Sequence, residues 1–207
     1  PAAIAIQSDV KIFLEKLYER LLPLKDQLSA LPREATISKY LEDKQKHRNK
    51  LDEQLNDLEA PMNSAHVPAI CNEVFPDESP LVIDGGNTAI WTNFYYKVRD
   101  PGTVVSTFKF GMLGAGVDQA LGAAAARPDV PVCCVIGDGA MGFHPQDIET
   151  AVRNGLHVIY IVMCDRQWGM VKINQHIAMK PIKTLLKKTL SPEESINTDL
   201  GNIEFHK

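Results

Sequence analysis

Apolar and polar positions come in blocks along the chain, and the sharpest block lies between residues 132 and 170. Val132-Cys133-Cys134-Val135-Ile136 is a continuous apolar run that stops at Gly137-Asp138-Gly139. Val158-Ile159-Tyr160-Ile161-Val162-Met163 is a second run, and it stops at Cys164-Asp165. Such short, wholly apolar runs predict strands buried on both faces, and the segment Pro145 to Asn154 between them predicts a crossover helix. Strand, crossover helix, strand makes the two strands parallel, so both runs end at one edge of the sheet. Upstream, Leu81-Val82-Ile83 predicts a short buried strand ending in Asp84-Gly85-Gly86, followed by a helix through Ile90, Trp91, Phe94 and Tyr95. Thr103–Thr107 predicts another strand, and the glycine-rich stretch Gly111–Gly122 leads into a small-residue helix over Ala120–Ala126. Trp168–His176 predicts a helix, and residues 180–199 read as loops and short helices. Strands alternating with helices across residues 81–165 predict an α/β fold, a doubly wound parallel sheet with helices on both faces.

The pattern before residue 66 is different. Residues 8–22 predict a helix with Val10, Phe13, Leu14, Leu17, Leu21 and Leu22 on one face, Ser8 as its cap and Pro23 after it. Residues 23–37 read as a connection. Residues 38–59 predict a charged surface helix with a thin apolar stripe at Tyr40, Leu41, Leu51, Leu55 and Leu58, a solvated tie between domains. Residues 60–66 read as a loop, and Pro68 opens a short helix ending near Phe75. The pattern thus separates a charged helical stretch up to residue 65 from an α/β domain at 66–207.

Composition narrows the functional classes. At 207 residues with 44% hydrophobic and 23% charged content, the chain suits one good core and part of another. A net charge of -4 gives no reason to expect nucleic acid or an anionic membrane as partner, and no apolar run reaches transmembrane length. Cys71, Cys133, Cys134 and Cys164 lack metal-ligand spacing and read as buried free thiols of a cytoplasmic protein. The cluster Lys180, Lys183, Lys187 and Lys188 reads as a solvated face. A start at Pro1 and a finish at His206-Lys207 suggest a processed chain or a fragment.

The chemistry gathers at the strand ends. Open α/β sheets bind ligands beyond the carboxyl ends of their strands. Asp138 and Asp165 both emerge there, beside glycine turns. Two acids at adjacent strand ends repel each other unless a cation lies between them, which points to a hard ion such as Mg²⁺ holding a phosphorylated ligand. Asp147 and Ser191 read as local caps or turn residues, His144 as a capping or surface residue, and Trp91 and Trp168 as core or interface.

These residues resemble a known family. Gly137-Asp138-Gly139-Ala140 followed by Asp165-Arg166-Gln167-Trp168-Gly169 is similar to the signature of thiamine diphosphate-dependent enzymes, a GDG followed some 25–30 residues later by a paired Asn. Asp84-Gly85-Gly86-Asn87-Thr88 with Trp91 resembles the diphosphate loop of the acetolactate synthase-like group. Phe110-Gly111-Met112-Leu113-Gly114-Ala115-Gly116 with Ala120-Leu121-Gly122-Ala123 resembles its GxMGxG…AxGA segment. The resemblance spans about residues 66–175 and implies thiamine diphosphate and Mg²⁺ as cofactors. It also implies that residues 1–22 are the C-terminal helix of a preceding middle domain, 23–65 the charged helical linker and 66–207 the diphosphate-binding domain, expected to be truncated at its C-terminus. It implies Asp138, Asp165 and the Gln167 carbonyl as metal ligands. Gly139 and Ala140 would donate N–H groups to the diphosphate, and Asn87 and Thr88 would contact it from the other side. Leu113 would support the bent centre of the cofactor, with Gly111, Gly137 and Met170 also lining its site. The sequence departs from the family at Cys164-Asp165, where paired Asn is usual. The family's catalytic glutamate belongs to a separate pyrimidine-binding domain, so none is expected in this chain, and the isolated chain is expected to be inactive. The implied activity is decarboxylation or carboligation of a 2-oxo acid by a homodimer or homotetramer.

Two other readings compete on the residues. Gly111-Met112-Leu113-Gly114-Ala115-Gly116 invites a nicotinamide dinucleotide site, but its glycines do not fall as GxGxxG and Asp165 is left unexplained. A non-catalytic assembly module with an apolar face for a partner chain is the other.

Overall fold

The computed structural model describes residues 3–29, 33–106, 110–186 and 198–201. The chain divides into two compact units, residues 1–50 and 51–207. The first contains α1 (Val10–Leu21), a 3₁₀ turn at Leu22–Leu24, α2 (Lys25–Ser29) and most of α3 (Glu34–Asp52). The expected connection at 23–37 is therefore helical at both its ends. Asp9, not Ser8, caps α1: its carboxylate accepts from Lys11 N at 3.0 Å and Ile12 N at 3.2 Å. The Ser8 hydroxyl instead donates to Asp9 O. An acid one residue from the first turn reaches two free N–H groups at once, so it displaces the hydroxyl as cap.

The second unit carries the sheet. A 3₁₀ turn (Glu53–Asn56) and α4 (His66–Val74) precede β1 (Leu81–Asp84), α5 (Gly86–Tyr95), β2 (Val104–Ser106), α6 (Ala115–Ala126) and β3 (Val132–Gly137). Then come α7 (Asp138–Met141), α8 (Asp147–Arg153), β4 (Val158–Met163) and α9 (Gly169–Leu186). The four strands are parallel in the order β2-β1-β3-β4. Side chains alternate between two apolar layers, as the twofold repeat of a strand requires. Val82, Val132, Cys134 and Ile136 face Val117, Ala120 and Ala124 of α6, with Ala140 and Met141 of α7. Leu81, Ile83, Cys133 and Val135 face Cys71 and Phe75 on the α4 side and Ala89 of α5. The expected doubly wound α/β sheet is thus present, with helices on both faces.

Burial keeps the β3 thiols inert. Desolvation, then the nearby Asp84 charge, pushes the Cys134 thiol up to about 12. Cys164 differs from expectation, because it is exposed. It follows the last residue of β4, so its side chain leaves the sheet where the chain turns into solvent. β4 itself is only half-buried, since it is the edge strand among the described residues.

Two helices start earlier than their sequence suggests. α6 begins at Ala115 instead of Ala120, and α4 at His66 with Pro68 at its third position. α9 runs from Gly169 to Leu186, well past the predicted end at His176. Thr107, Lys187, Lys188 and Ser191 lie outside the described residues.

Candidate functional site

From β1 the chain passes through α5 to β2 on one side, then through α6 to β3 on the other. The two crossover helices lie on opposite faces, so a crevice opens between the carboxyl ends of β1 and β3. Gly85 and Gly137 meet there. A side chain on Gly85 would fall 3.3 Å from Gly137 N, and Gly85 has φ 104°, a conformation that L-residues rarely adopt.

Asp84 ties the first turn of this crevice together. It is buried, and its carboxylate accepts from Gly85 N at 2.6 Å and Gly116 N at 2.7 Å. The second bond holds the first turn of α6 against the end of β1, and Gly114 before it has φ 92°. These contacts start α6 at Ala115 and set Leu113 at the crevice.

Asp138 is buried at the end of β3. One carboxylate oxygen accepts from Gly139 N and the other from Arg166 N, each at 2.8 Å. The second bond links the end of β3 to the loop after β4, where Arg166 has φ 58°. The expected repulsion between Asp138 and Asp165 is therefore eased by amide donors aimed at one of the two acids. Asp165 is exposed and accepts from Gln167 N at 3.1 Å. Desolvation raises its carboxyl above the ordinary range against that N–H, and the Asp138 charge adds to the rise. Solvent screens the effect at an exposed side chain.

Glycines let the other elements close in. A side chain at Gly169 would fall 2.6 Å from Asn87 Nδ2 and 2.8 Å from Asp165 Oδ2. Bare backbone there lets Asn87 of α5 and Asp165 share one corner. A side chain at Gly86 would fall 2.5 Å from Met170 Cβ, so the first turns of α5 and α9 also meet.

A cleft of about 1190 Å³ opens over these groups. Asn87, Thr88, Gly111, Leu113, Gly137, Asp138, Gly139, Ala140, Asp165, Gln167 and Met170, taken from three separate sequence motifs, all line it. Sequence reasoning missed its aromatic wall. Trp91, Phe94 and Trp168 line the cleft as well. A side chain on Gly139 would fall 2.8 Å from the Trp168 ring, so the indole lies directly on the glycine turn. Trp168 also packs on Phe143, with ring centroids 5.8 Å apart, and Trp91 stacks on Tyr95 at 5.9 Å. The signal was available in α5: Asn87, Trp91 and Phe94 recur at the spacing of one helix face.

His144 is not among the lining residues. Its Nδ1 lies 3.8 Å from both Asp118 and Asp147, so Asp147 faces that histidine and makes no cap bond.

The charge of the cleft decides what it can hold. Asp84, Asp138 and Asp165 line it, and no lysine, arginine or histidine does so among the described residues. The only charged side chains that an anionic ligand meets there are negative. A phosphorylated ligand fits when it brings a divalent cation, and carboxylate oxygens suit a hard ion.

The sequence model described as thiamine pyrophosphate enzyme, C-terminal TPP binding domain, matches residues 84–199. Human 2-hydroxyacyl-CoA lyase 2 is 33% identical over 174 residues, covering 83% of this chain and 26% of that protein. Acetolactate synthase of Bacillus subtilis is 30% identical over 131 residues, covering 63% of this chain and 21% of that one. The chain thus spans about a quarter of the length of such relatives. Among solved structures, the thiamine diphosphate-dependent 4-hydroxybenzoylformate decarboxylase of Rhodococcus jostii superposes with a TM-score of 0.55 at 22% identity. The match covers 72% of this chain and 26% of that one, and it shows a shared fold.

Proposed function

Because the chain belongs to the thiamine pyrophosphate enzyme family, with that family's cofactor-binding domain over residues 84–199, we propose that the cleft between β1 and β3 binds thiamine diphosphate together with Mg²⁺. On this reading the chain is the cofactor-binding part of a longer enzyme that decarboxylates or ligates 2-oxo acids. One observation carries it: three aspartates and no cationic side chain line a cleft of cofactor size among the described residues. Such a site accepts a diphosphate only with a metal ion. The relatives are named as lyase and as synthase, which fits decarboxylation and carboligation alike.

The chain's own groups then have distinct tasks. Asp138, Asp165 and the Gln167 carbonyl hold the cation. The Ala140 amide would face the diphosphate at the start of α7, the Gly139 amide being held by the Asp138 carboxylate, and Asn87 and Thr88 would approach it from α5. Leu113 supplies apolar support beneath the cofactor, while Gly111, Gly137 and Met170 complete its walls. Trp91 and Trp168, with Phe94 at the mouth, would give the bound cofactor an aromatic wall. When bound, the cofactor would supply the carbon nucleophile for the substrate carbonyl and an electron sink for the pair released when the neighbouring bond breaks. No glutamate lines the cleft among the described residues. By resemblance to the family, the carboxyl group that serves the cofactor's aminopyrimidine would come from another domain or subunit, and the chain alone is expected not to turn over. Ile90, Phe94 and Met112 line the cleft and remain half-exposed, and this apolar surface at its mouth supports assembly as a homodimer or homotetramer.

Calorimetric titration of thiamine diphosphate into the chain tests this reading, with Mg²⁺, then with EDTA, and with NAD as control. Binding that requires Mg²⁺ is expected. Binding of NAD alone, or of thiamine diphosphate equally well in EDTA, would overturn it.

A further inference from the structure

The loop that carries Asp165 and Gln167 is held from outside the cleft by a short segment near the end of the described chain. Thr198–Leu200 crosses it antiparallel, with Gln167 opposite Asp199. Trp168 N donates to Thr198 O at 2.7 Å, and Leu200 N donates to Arg166 O at 2.8 Å. These two bonds flank the Gln167–Asp199 pair, so neither residue of the pair spends its own backbone groups on the other. In an antiparallel ladder such a residue turns its N–H and C=O away from the partner strand. The Gln167 N–H accordingly goes to Asp165. Its carbonyl is set on that same side, where the proposed cation lies.

Side chains close the arrangement. Lys172 Nζ donates to Gln167 Oε1 at 2.8 Å and pairs with Asp199 Oδ1 at 3.4 Å. Thr198 is fully buried, so the segment is seated in the body of the unit and does not merely lie on it. The loop needs such support, because Arg166 sits in the left-handed region, where a residue with a side chain is strained.

We propose that Thr198–Leu200 is a positioning strap for the cation site, latched by the Lys172–Asp199 pair, and that the latch sets metal affinity. The proposal rests on the cofactor reading above. In this arrangement neither Lys172 nor Asp199 is a metal ligand; Lys172 holds the Gln167 side chain and Asp199 holds Lys172, and together they fix the position of the Gln167 carbonyl.

The sign of one substitution separates a strap from plain electrostatics. Lys172 is a cation near Asp165, so removing its charge should tighten cation binding if charge alone mattered. If Lys172 works as a latch, removing it should weaken binding. Mn²⁺ is titrated into the full chain in the presence of thiamine diphosphate, with free Mn²⁺ read by its paramagnetic resonance signal. Amide hydrogen exchange at Trp168 and Leu200 is measured in the same samples. Lys172→Met and Asp199→Ala are each expected to weaken Mn²⁺ binding about three- to tenfold, between an exposed ion pair and an outer-shell metal partner. Both should speed exchange at the two amides, and Lys172→Arg should restore both readouts. Tighter binding by Lys172→Met, or faster exchange with unchanged affinity, overturns the proposal. Binding indifferent to both variants sinks this proposal alone. No Mn²⁺ binding by the unsubstituted chain sinks the cofactor reading, and this proposal with it.

Discussion

At the scale of single residues, Asp138 and Asp165 are not equivalent, although the sequence presents them as a matched pair. Asp138 is buried, and both its oxygens accept backbone N–H groups from different loops. Asp165 is exposed, and its carboxylate takes one backbone N–H, from two residues on. Asp138→Ala therefore removes a proposed metal ligand and also leaves two amides without their ionised acceptor. It is expected to cost about 1–3 kcal/mol of stability even with no metal present, read as a lower urea midpoint in EDTA, and to abolish Mg²⁺-dependent binding. Asp165→Asn keeps an oxygen for the Gln167 amide and removes one negative charge beside Asp138. Its urea midpoint should match the parent's, and metal-dependent binding should persist. If binding survives Asp138→Ala but is lost in Asp165→Asn, the ligand assignment is wrong.

At the scale of elements, the start of α6 shows how a buried acid and a glycine locate a helix. The Asp84 carboxylate accepts from Gly116 N, and a Cβ on Gly116 would fall 2.5 Å from Asp84 Cβ. Gly122, two turns later in the same helix, is exposed, and a methyl group added there would meet nothing within 4 Å. Gly116→Ala should destabilise by about 1–3 kcal/mol through overpacking, whereas Gly122→Ala should stabilise by about 0.5–1 kcal/mol through helix propensity. Paired urea titrations check both, and equal effects would remove Asp84 from its part in placing α6. The same helix marks the limit of what the sequence discloses. β1, β3 and β4 were legible because apolar runs closed by Asp-Gly or Cys-Asp leave few other readings. The first five residues of α6 were not, because glycines at 114 and 116 look like loop until the Asp84 contact across 32 positions is known. Cys164 failed for a related reason: the apolar run before it hides the point where the chain leaves the sheet. The strap at Thr198–Leu200 has no local signature at all. Its placement depends on backbone bonds to a loop some 30 residues earlier, which no periodicity encodes.

At the scale of the whole molecule, stability and cofactor binding should be coupled in one unit only. Both apolar layers lie within residues 51–207, and so does every residue that lines the cleft. None of the described residues of the first fifty is buried. A ligand that binds only the folded cleft stabilises it by RT ln(1 + [L]/Kd), about 2.7 kcal/mol at a hundredfold excess over Kd. For a unit of this size each kcal/mol moves the midpoint by roughly 2–4 °C, so thiamine diphosphate with Mg²⁺ should raise it by roughly 5–11 °C. EDTA should reverse the shift in full, because without the cation the only charges the diphosphate meets are carboxylates. Tryptophan fluorescence reports this transition selectively: both tryptophans, Trp91 and Trp168, line the cleft. A fluorescence midpoint that rises equally in EDTA would mean that the cleft binds the organic cofactor without metal, and that its three aspartates do not set what it accepts.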